Sequence, residues 1–173
     1  MNHTELAKEV SKIASLTGEF VLRSGQISEK YFDKYRFEGD PKLLRLVAKG
    51  MLELIPSDTE ILAGLELGGV PIATAMSLES GLPVAFVRKE AKTYGTCQAI
   101  EGQFVDGRKV CFVEDVITTG GAVSDALDLS RAEGANVLAV VCAIWRGPGA
   151  PSIQKAPDLD VRPLFTREDL ERV

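Results

Sequence analysis

Eight consecutive residues, Glu114-Asp115-Val116-Ile117-Thr118-Thr119-Gly120-Gly121, carry two adjacent carboxylates, two hydroxyls and two glycines, with Ala122 next. Carboxylates repel phosphate, so their natural partners are sugar hydroxyls or a metal ion. The Thr-Gly half has the opposite character. Backbone N–H groups at a helix start cradle an anion, helped by the helix dipole and by the Thr118 and Thr119 hydroxyls. One segment thus offers a diol grip beside a phosphate cup, which is the chemistry of a ribose 5-phosphate. The competing reading is a plain strand-to-helix connection with an acidic N-terminus. For a lone Asp before a glycine turn that would be the better reading; the density of functional groups here reverses the ranking. Neither G-x-x-x-x-G-K-[ST] nor G-x-G-x-x-G occurs in the chain, so neither a P-loop nor a dinucleotide fingerprint is present.

Three further segments carry groups suited to a polyanion. Gly68-Gly69, ahead of Val70-Pro71, lets the backbone approach a ligand closely, and also suits a tight turn into a helix. Arg88, Lys89 and Lys92 form a cationic cluster, which in isolation reads as a solvated loop. Arg146 stands alone after an apolar run.

The elements that must position these groups follow from periodicity. Leu6, Val10, Ile13 and Leu16 make a helical stripe over Thr4 to Leu16, with Gly18 as its stop. Short strand-like pieces follow at Phe20-Val21-Leu22 and Tyr31-Phe32-Asp33. Asp40-Pro41 reads as an N-cap with proline at the first helical position, opening a helix to about Ile55. Strands are expected at Glu60 to Ala63, Pro83 to Val87, Val110 to Val113, Val137 to Trp145 and Val161 to Phe165. Helices are expected at Val70 to Glu79 and Gly121 to Glu133, and a capping box at Thr166-x-x-Asp169 opens a short last helix. Fully apolar strands alternating with helices predict an α/β fold with an open, mainly parallel sheet. Ligands of such sheets bind at the carboxyl ends of the strands, where all four segments fall.

Composition narrows the chemistry. The 173 residues include a single histidine, His3, at a terminus where fraying is expected. A Ser-His-Asp triad and a multi-histidine zinc site are thereby excluded. Three widely spaced cysteines, Cys97, Cys111 and Cys142, form no C-x-x-C pair, and the last two sit in apolar runs as small hydrophobes. The net charge of −5 gives no reason to expect nucleic acid as a partner. The longest apolar run, Val137 to Trp145, is nine residues, too short for a membrane span. Residues 1 to 12 are polar and mixed in charge, unlike a signal peptide, so a reducing cytoplasm is the expected setting.

The segment VCFVEDVITTGGA, Val110 to Ala122, resembles the phosphoribosyl-pyrophosphate motif of type I phosphoribosyltransferases. RKEAKTYGT, Arg88 to Thr96, followed by Ile100-Glu101-Gly102, resembles the mobile catalytic loop of the orotate phosphoribosyltransferases. GEFVLRSGQISEKYFD, Gly18 to Asp33, resembles their hood. The likeness runs from Gly18 to about Arg146 in the family's order. It implies one domain over residues 1–173, a twisted sheet flanked by helices, with a small N-terminal hood at about 18–37 and a mobile loop at about 88–102. The implied reaction transfers ribose 5-phosphate from phosphoribosyl pyrophosphate (PRPP) to orotate, giving orotidine 5'-monophosphate and pyrophosphate in de novo pyrimidine (UMP) biosynthesis. Mg²⁺ is the implied cofactor, bound mainly through substrate phosphates and ribose, with no dedicated protein metal site.

By the same resemblance, Arg88, Lys89 and Lys92 are the catalytic cations. PRPP falls to Tyr94, Gly68, Gly69, Glu114, Asp115, Val116, Ile117, Thr118, Thr119, Gly120, Gly121 and Ala122. Orotate falls to Arg23, Tyr31, Phe32, Thr118 and Arg146; the guanidinium of Arg146 suits its carboxylate. Two positions depart from the pattern: relatives often have histidine at Tyr94, and some have lysine at Gly68. The implied assembly is a homodimer whose mobile loop acts in the neighbouring subunit, with no nucleic-acid and no membrane partner. A purine phosphoribosyltransferase and a non-catalytic sensor of the donor are the rival readings.

Overall fold

A computed structural model describes residues 1–21, 25–90 and 98–172. The chain opens with helix α1, His3–Ala14, whose Asn2 cap forms a full capping box with Glu5. It passes straight into a hairpin, β1 Ser15–Val21 and β2 Ile27–Phe32. Leu16 and Gly18 therefore belong to β1 rather than to the end and stop of a helix. The helical stripe at Leu16 is overridden by cross-strand pairing, Leu16 with Tyr31, and the register slips between Thr17 and Phe20 around Gly18.

A single turn, α2 Tyr35–Glu38, leads into α3 Pro41–Leu52, which Asp40 caps by accepting from the N–H groups of Lys42 and Leu43 at 2.9 Å. Then come β3 Ile61–Leu65, α4 Gly69–Ser80, β4 Val84–Val87, β5 Ile100–Gly102 and β6 Lys109–Ile117. Helix α5 Gly121–Ala132, β7 Asn136–Trp145, β8 Asp160–Thr166 and α6 Arg167–Glu171 complete the chain. Gly81 closes α4 in the left-handed conformation, φ +78°, a place for a residue without Cβ.

The hairpin stands apart as its own two-stranded sheet, the hood. The main sheet runs β5-β4-β3-β6-β7-β8, parallel throughout except for β5, which is antiparallel to β4. Strand β5 was not expected. Ile100–Gly102 were expected in the mobile loop, but Val87 pairs with Ile100 and Ala85 with Gly102. Gly102 therefore does not loosen a loop. Its φ is +86° and a Cβ there would stand 2.9 Å from the Val84 carbonyl oxygen, so glycine permits tight pairing.

Each face of the main sheet carries its own core. Val10, Phe37, Val47, Met51, Met76 and Phe165 belong to one, under α1 to α4. Phe112, Val140, Trp145, Val123, Leu127 and Ile153 belong to the other, under α5. The order reverses between β3 and β6: β4 follows on one side, β7 and β8 on the other. That reversal opens a crevice at the carboxyl ends of β3 and β6.

His3 is held rather than frayed. Its ring nitrogen lies 2.7 Å from the Leu164 carbonyl oxygen and the ring packs 4.9 Å from that of Phe165. It clasps α1 to β8. Among the described residues no helix is long and apolar enough to cross a membrane.

Candidate functional site

Strand β6 outruns its neighbour. Pairing with β3 ends at Gly64–Val113, while β6 continues beside β7 to Ile117. Glu114 and Asp115 stand where β3 has turned away. They lie inside the strand, not in a turn after it, because the apolar run that marks the strand in sequence stops before its hydrogen bonding does. The strand departs from regularity here. The Asp115 N–H donates to the Glu114 carboxylate at 2.9 Å, and the Val116 N–H donates to the Asp115 carboxylate. Side-chain oxygens thus occupy donors that a neighbouring strand would otherwise take. Strict alternation breaks with them: Val113 and Val116 both pack on the α1–α4 side, and Ile117 on the α5 side.

Gly68 and Gly69 seat against this break. A Cβ at Gly69 would overlap the Val113 carbonyl oxygen, and one at Gly68 would overlap the Asp115 carboxylate. The turn from β3 into α4 therefore lies directly on the β6 carboxylates, an approach only glycine permits. Any side chain at position 68 would need Asp115 elsewhere.

Beyond Ile117, Thr118 and Thr119 are exposed, and Gly120 adopts φ +75° against Ile153. Helix α5 begins there with no side-chain cap, and nothing lies within 4 Å of a Cβ built on Gly121. Uncapped N–H groups at the positive end of a twelve-residue helix face open space, which suits a phosphate. A cavity of about 570 Å³ brings Gly121 and Ala122 together with Arg88, Lys89 and Glu66. The Lys89 N–H donates to Glu66 at 3.0 Å and the Arg88 N–H to the Ala99 carbonyl at 2.8 Å, so the root of the cationic segment is tied to β3 and to the chain entering β5. Lys92, Tyr94 and Gly95 lie outside the described residues, as does Arg23.

A second cavity, about 600 Å³, is lined by Tyr31, Phe32, Lys30, Thr17, Arg146 and Arg167 among others. The Arg146 guanidinium sits 5.5 Å from the centroid of the Phe32 ring, a cation–π contact that holds the guanidinium plane. Its backbone N–H donates to the Ile117 carbonyl at 2.8 Å, locking the end of β7 to that of β6. Tyr31 instead stacks on Phe20, 5.4 Å between centroids. Successive residues of a strand point to opposite sides, so Tyr31 and Phe32 do not form one stacking surface. Thr118 is absent from this cavity's lining.

Two residues at the site carry no signal in the sequence motifs. Lys34, beside the hood's last strand, forms an ion pair with Asp115. Glu38, at the end of α2, is buried, and neither carboxyl oxygen meets a hydrogen-bond donor. Burial, then the Asp115 charge, push its pKa up to about 8. Burial, then Asp115, likewise raise Glu114 to about 9. For Lys34, burial opposes the charge, but the hydrogen bond and charge of Asp115 outweigh it and raise the pKa above the ordinary lysine value. At neutral pH the Glu38 and Glu114 carboxyls are thus neutral beside the Lys34 ammonium. A K-x-x-x-E spacing puts Lys34 and Glu38 on one helical face, the only hint a sequence could offer.

The phosphoribosyl transferase domain family matches residues 38–169. The orotate phosphoribosyltransferase of Nocardioides sp. is 53% identical over 166 residues, 96% of this chain and 93% of its own. Crystal structures of the Mycobacterium tuberculosis orotate phosphoribosyltransferase superpose over nearly all of both chains. The Fe(III) dicitrate complex gives a TM-score of 0.84 at 32% identity, covering 97% of this chain and 98% of that one. The PRPP complex gives 0.82 at 30%, covering 98% of each. By these matches the chain belongs to the phosphoribosyl transferase domain family and, within it, to the orotate phosphoribosyltransferases.

Proposed function

We infer that PRPP lies across the β3–β6 crevice, that orotate lies on the Phe32–Arg146 side, and that ribose 5-phosphate passes between them. The activity is transfer of ribose 5-phosphate from PRPP to orotate, yielding orotidine 5'-monophosphate and pyrophosphate. The single observation that carries the residue assignment is the seating of Gly68 and Gly69 on the β6 carboxylates, beside the uncapped start of α5.

In this reading Glu114 and Asp115 take the ribose hydroxyls, and the Thr118 to Ala122 turn takes the 5'-phosphate. Gly68 and Gly69 face the pyrophosphate with bare backbone. As the bond to pyrophosphate lengthens, positive charge develops at the anomeric carbon and negative charge on the leaving group. Orotate attacks as an anionic nitrogen, so no protein nucleophile is needed. Arg88, Lys89 and Lys92 stabilise the departing pyrophosphate, an effect greatest in the transition state. Arg146 orients orotate through its carboxylate.

The donor set fits a hard cation brought in by the substrate. Asp115 is engaged by Lys34, and Glu114 is buried and neutral. Mg²⁺ would be held through pyrophosphate and ribose oxygens, where it neutralises leaving-group charge. The assembly proposed is a homodimer whose 88–102 segment serves the neighbouring site, working in a reducing cytoplasm that suits the free, buried Cys111 and Cys142.

Steady-state assays with PRPP, Mg²⁺ and orotate, hypoxanthine, adenine or uracil test the assignment. Turnover of orotate alone is expected; rapid turnover of a purine and none of orotate overturns it. Lys92→Ala is expected to lower kcat more than it weakens binding. Mixed with Asp115→Ala subunits, it is expected to recover activity in hybrid dimers, and no recovery after demonstrated subunit exchange refutes action in trans.

A further inference from the structure

The segment between the hood and α3 contributes two charged residues to the ribose side of the crevice, and the reaction as assigned above uses neither. Lys34 precedes α2 and Glu38 ends it, four residues apart and on one helical face. Phe37, fully buried, anchors that turn in the core. The Lys34 ammonium rests on Asp115 Oδ2; the lysine side chain is 31% exposed and that of Asp115 2%. The other Asp115 oxygen, Oδ1, accepts from the Val116 N–H. Behind them Glu38 is 7% exposed with both oxygens unpartnered. The charged groups that act on Glu38 are Asp115, Lys34 and Asp33, and Glu114 acts on Lys34 from the β6 side. From the β3–α4 turn, Gly68 and Gly69 bring no titratable group.

A buried carboxyl without a donor stays protonated, and its O–H then becomes a donor. The neighbouring acceptor is Asp115. The order is then Lys34 ammonium, Asp115 carboxylate, Glu38 carboxylic acid, with no net charge. Asp115 uses one of the three ammonium N–H groups, and the lysine side chain is partly exposed. A Cβ at position 68 would overlap the Asp115 carboxylate, so the β3–α4 turn brings no side chain to this point.

We propose that Lys34 is a donor-binding residue, its ammonium held on Asp115 so as to meet an oxygen of the bound phosphorylated sugar, and that Glu38 is the positioning residue that holds Asp115 for it. This rests on the reading of Asp115 as the ribose grip.

Calorimetric binding of PRPP with Mg²⁺ to the full chain separates the two. Lys34→Gln is expected to weaken PRPP about 10- to 100-fold, as for a lost hydrogen bond to a charged group, and to move the KM for orotate far less. Lys34→Arg recovers part of the loss. The KM for PRPP of the unsubstituted chain rises above about pH 8 as Glu38 ionises against Asp115. Glu38→Gln, which keeps a donor and cannot ionise, delays that rise until Glu114 ionises at about pH 9. PRPP affinity within twofold of the unsubstituted chain in Lys34→Gln, with Asp115→Asn impaired, overturns the role of Lys34 and leaves the grip standing. Full affinity in Asp115→Asn removes the grip itself. A rise that still begins at about pH 8 in Glu38→Gln removes Glu38 from the proposal, because a merely structural role would not set that profile.

Discussion

The Lys34 ammonium, at the exit of the hood, rests on the Asp115 carboxylate near the carboxyl end of β6. The pair ties the small sheet to the large one at the point where the strand order reverses. It also means that the most buried acid of the crevice reaches its ligand side already partnered. Its neighbours Glu38 and Glu114 are driven neutral by burial first and by the Asp115 charge second, against the weaker pull of Lys34.

Gly68 and Gly69 answer differently to a methyl group. At Gly69 it strikes the Val113 carbonyl, which is backbone within a strand and cannot step aside. Gly69→Ala is expected to lower the unfolding temperature by several degrees and to abolish PRPP binding. At Gly68 it strikes the Asp115 carboxylate, which can move only by leaving Lys34. Gly68→Ala is expected to fold and to raise the KM for PRPP about 100-fold, the scale of a 1 Å misplacement. Thermal unfolding and steady-state kinetics check both; an unaltered KM in Gly68→Ala would contradict the close approach.

Arg146 is held over Phe32 at the end of β7. Arg146→Gln is expected to raise the KM for orotate about 10- to 100-fold, the value of a charged hydrogen bond, and to leave the KM for PRPP within a few-fold. Arg146→Lys should recover little, because an ammonium cannot reproduce the bidentate fork. Competition between orotate and uracil reports the same loss, since uracil lacks the carboxylate.

Glu38 makes stability depend on pH. Its pKa is about 8 in the folded chain against an ordinary 4.5, so the native state binds the proton more tightly. The resulting stabilisation is complete below about pH 4.5, and it is lost as the pH rises to about 8. Asp58, Glu60 and Asp169, whose pKa values are lowered, act oppositely on the acid side. The difference between the unsubstituted chain and Glu38→Gln isolates the effect. The variant is expected to gain stability relative to the parent between pH 5 and 8, on the order of a few degrees in Tm. Parallel curves across that interval would refute it.

Cys111 and Cys142 are both fully buried. Burial pushes the Cys111 thiol up to about 12 and that of Cys142 higher still. Alkylation by iodoacetamide at pH 8, followed by peptide mass mapping, should leave both unmodified in the folded chain and label both in denaturant. Labelling of either in the native state would contradict that burial.

The strands and long helices were legible because each carries a local signal. Asp40-Pro41 announces α3, Gly81 ends α4, and the Thr166-x-x-Asp169 box opens α6, all within a residue or two of where the sequence puts them. The failures share a cause. Strand β5 holds three residues with no periodicity to read, and it exists because β4 offers an edge. Leu16 continues a helical stripe yet lies in β1, because Tyr31 pairs with it from β2. Glu114 and Asp115 break the apolar run of β6 but not its pairing with β7.

The sequence alone determined the chemistry on offer: a carboxylate pair, a glycine–threonine turn, a basic segment and one arginine, at successive strand ends of an α/β chain. Residue type and order settle that much, because caps, turns and periodic stripes are local. Only the tertiary structure decided which groups share a space. Lys34 and Glu38 lie on a short helical turn with no motif around them, and they matter because the fold presses that turn against β6. Burial there, and then the Asp115 charge, drive the Glu38 and Glu114 carboxyls neutral, an effect that residue order does not encode.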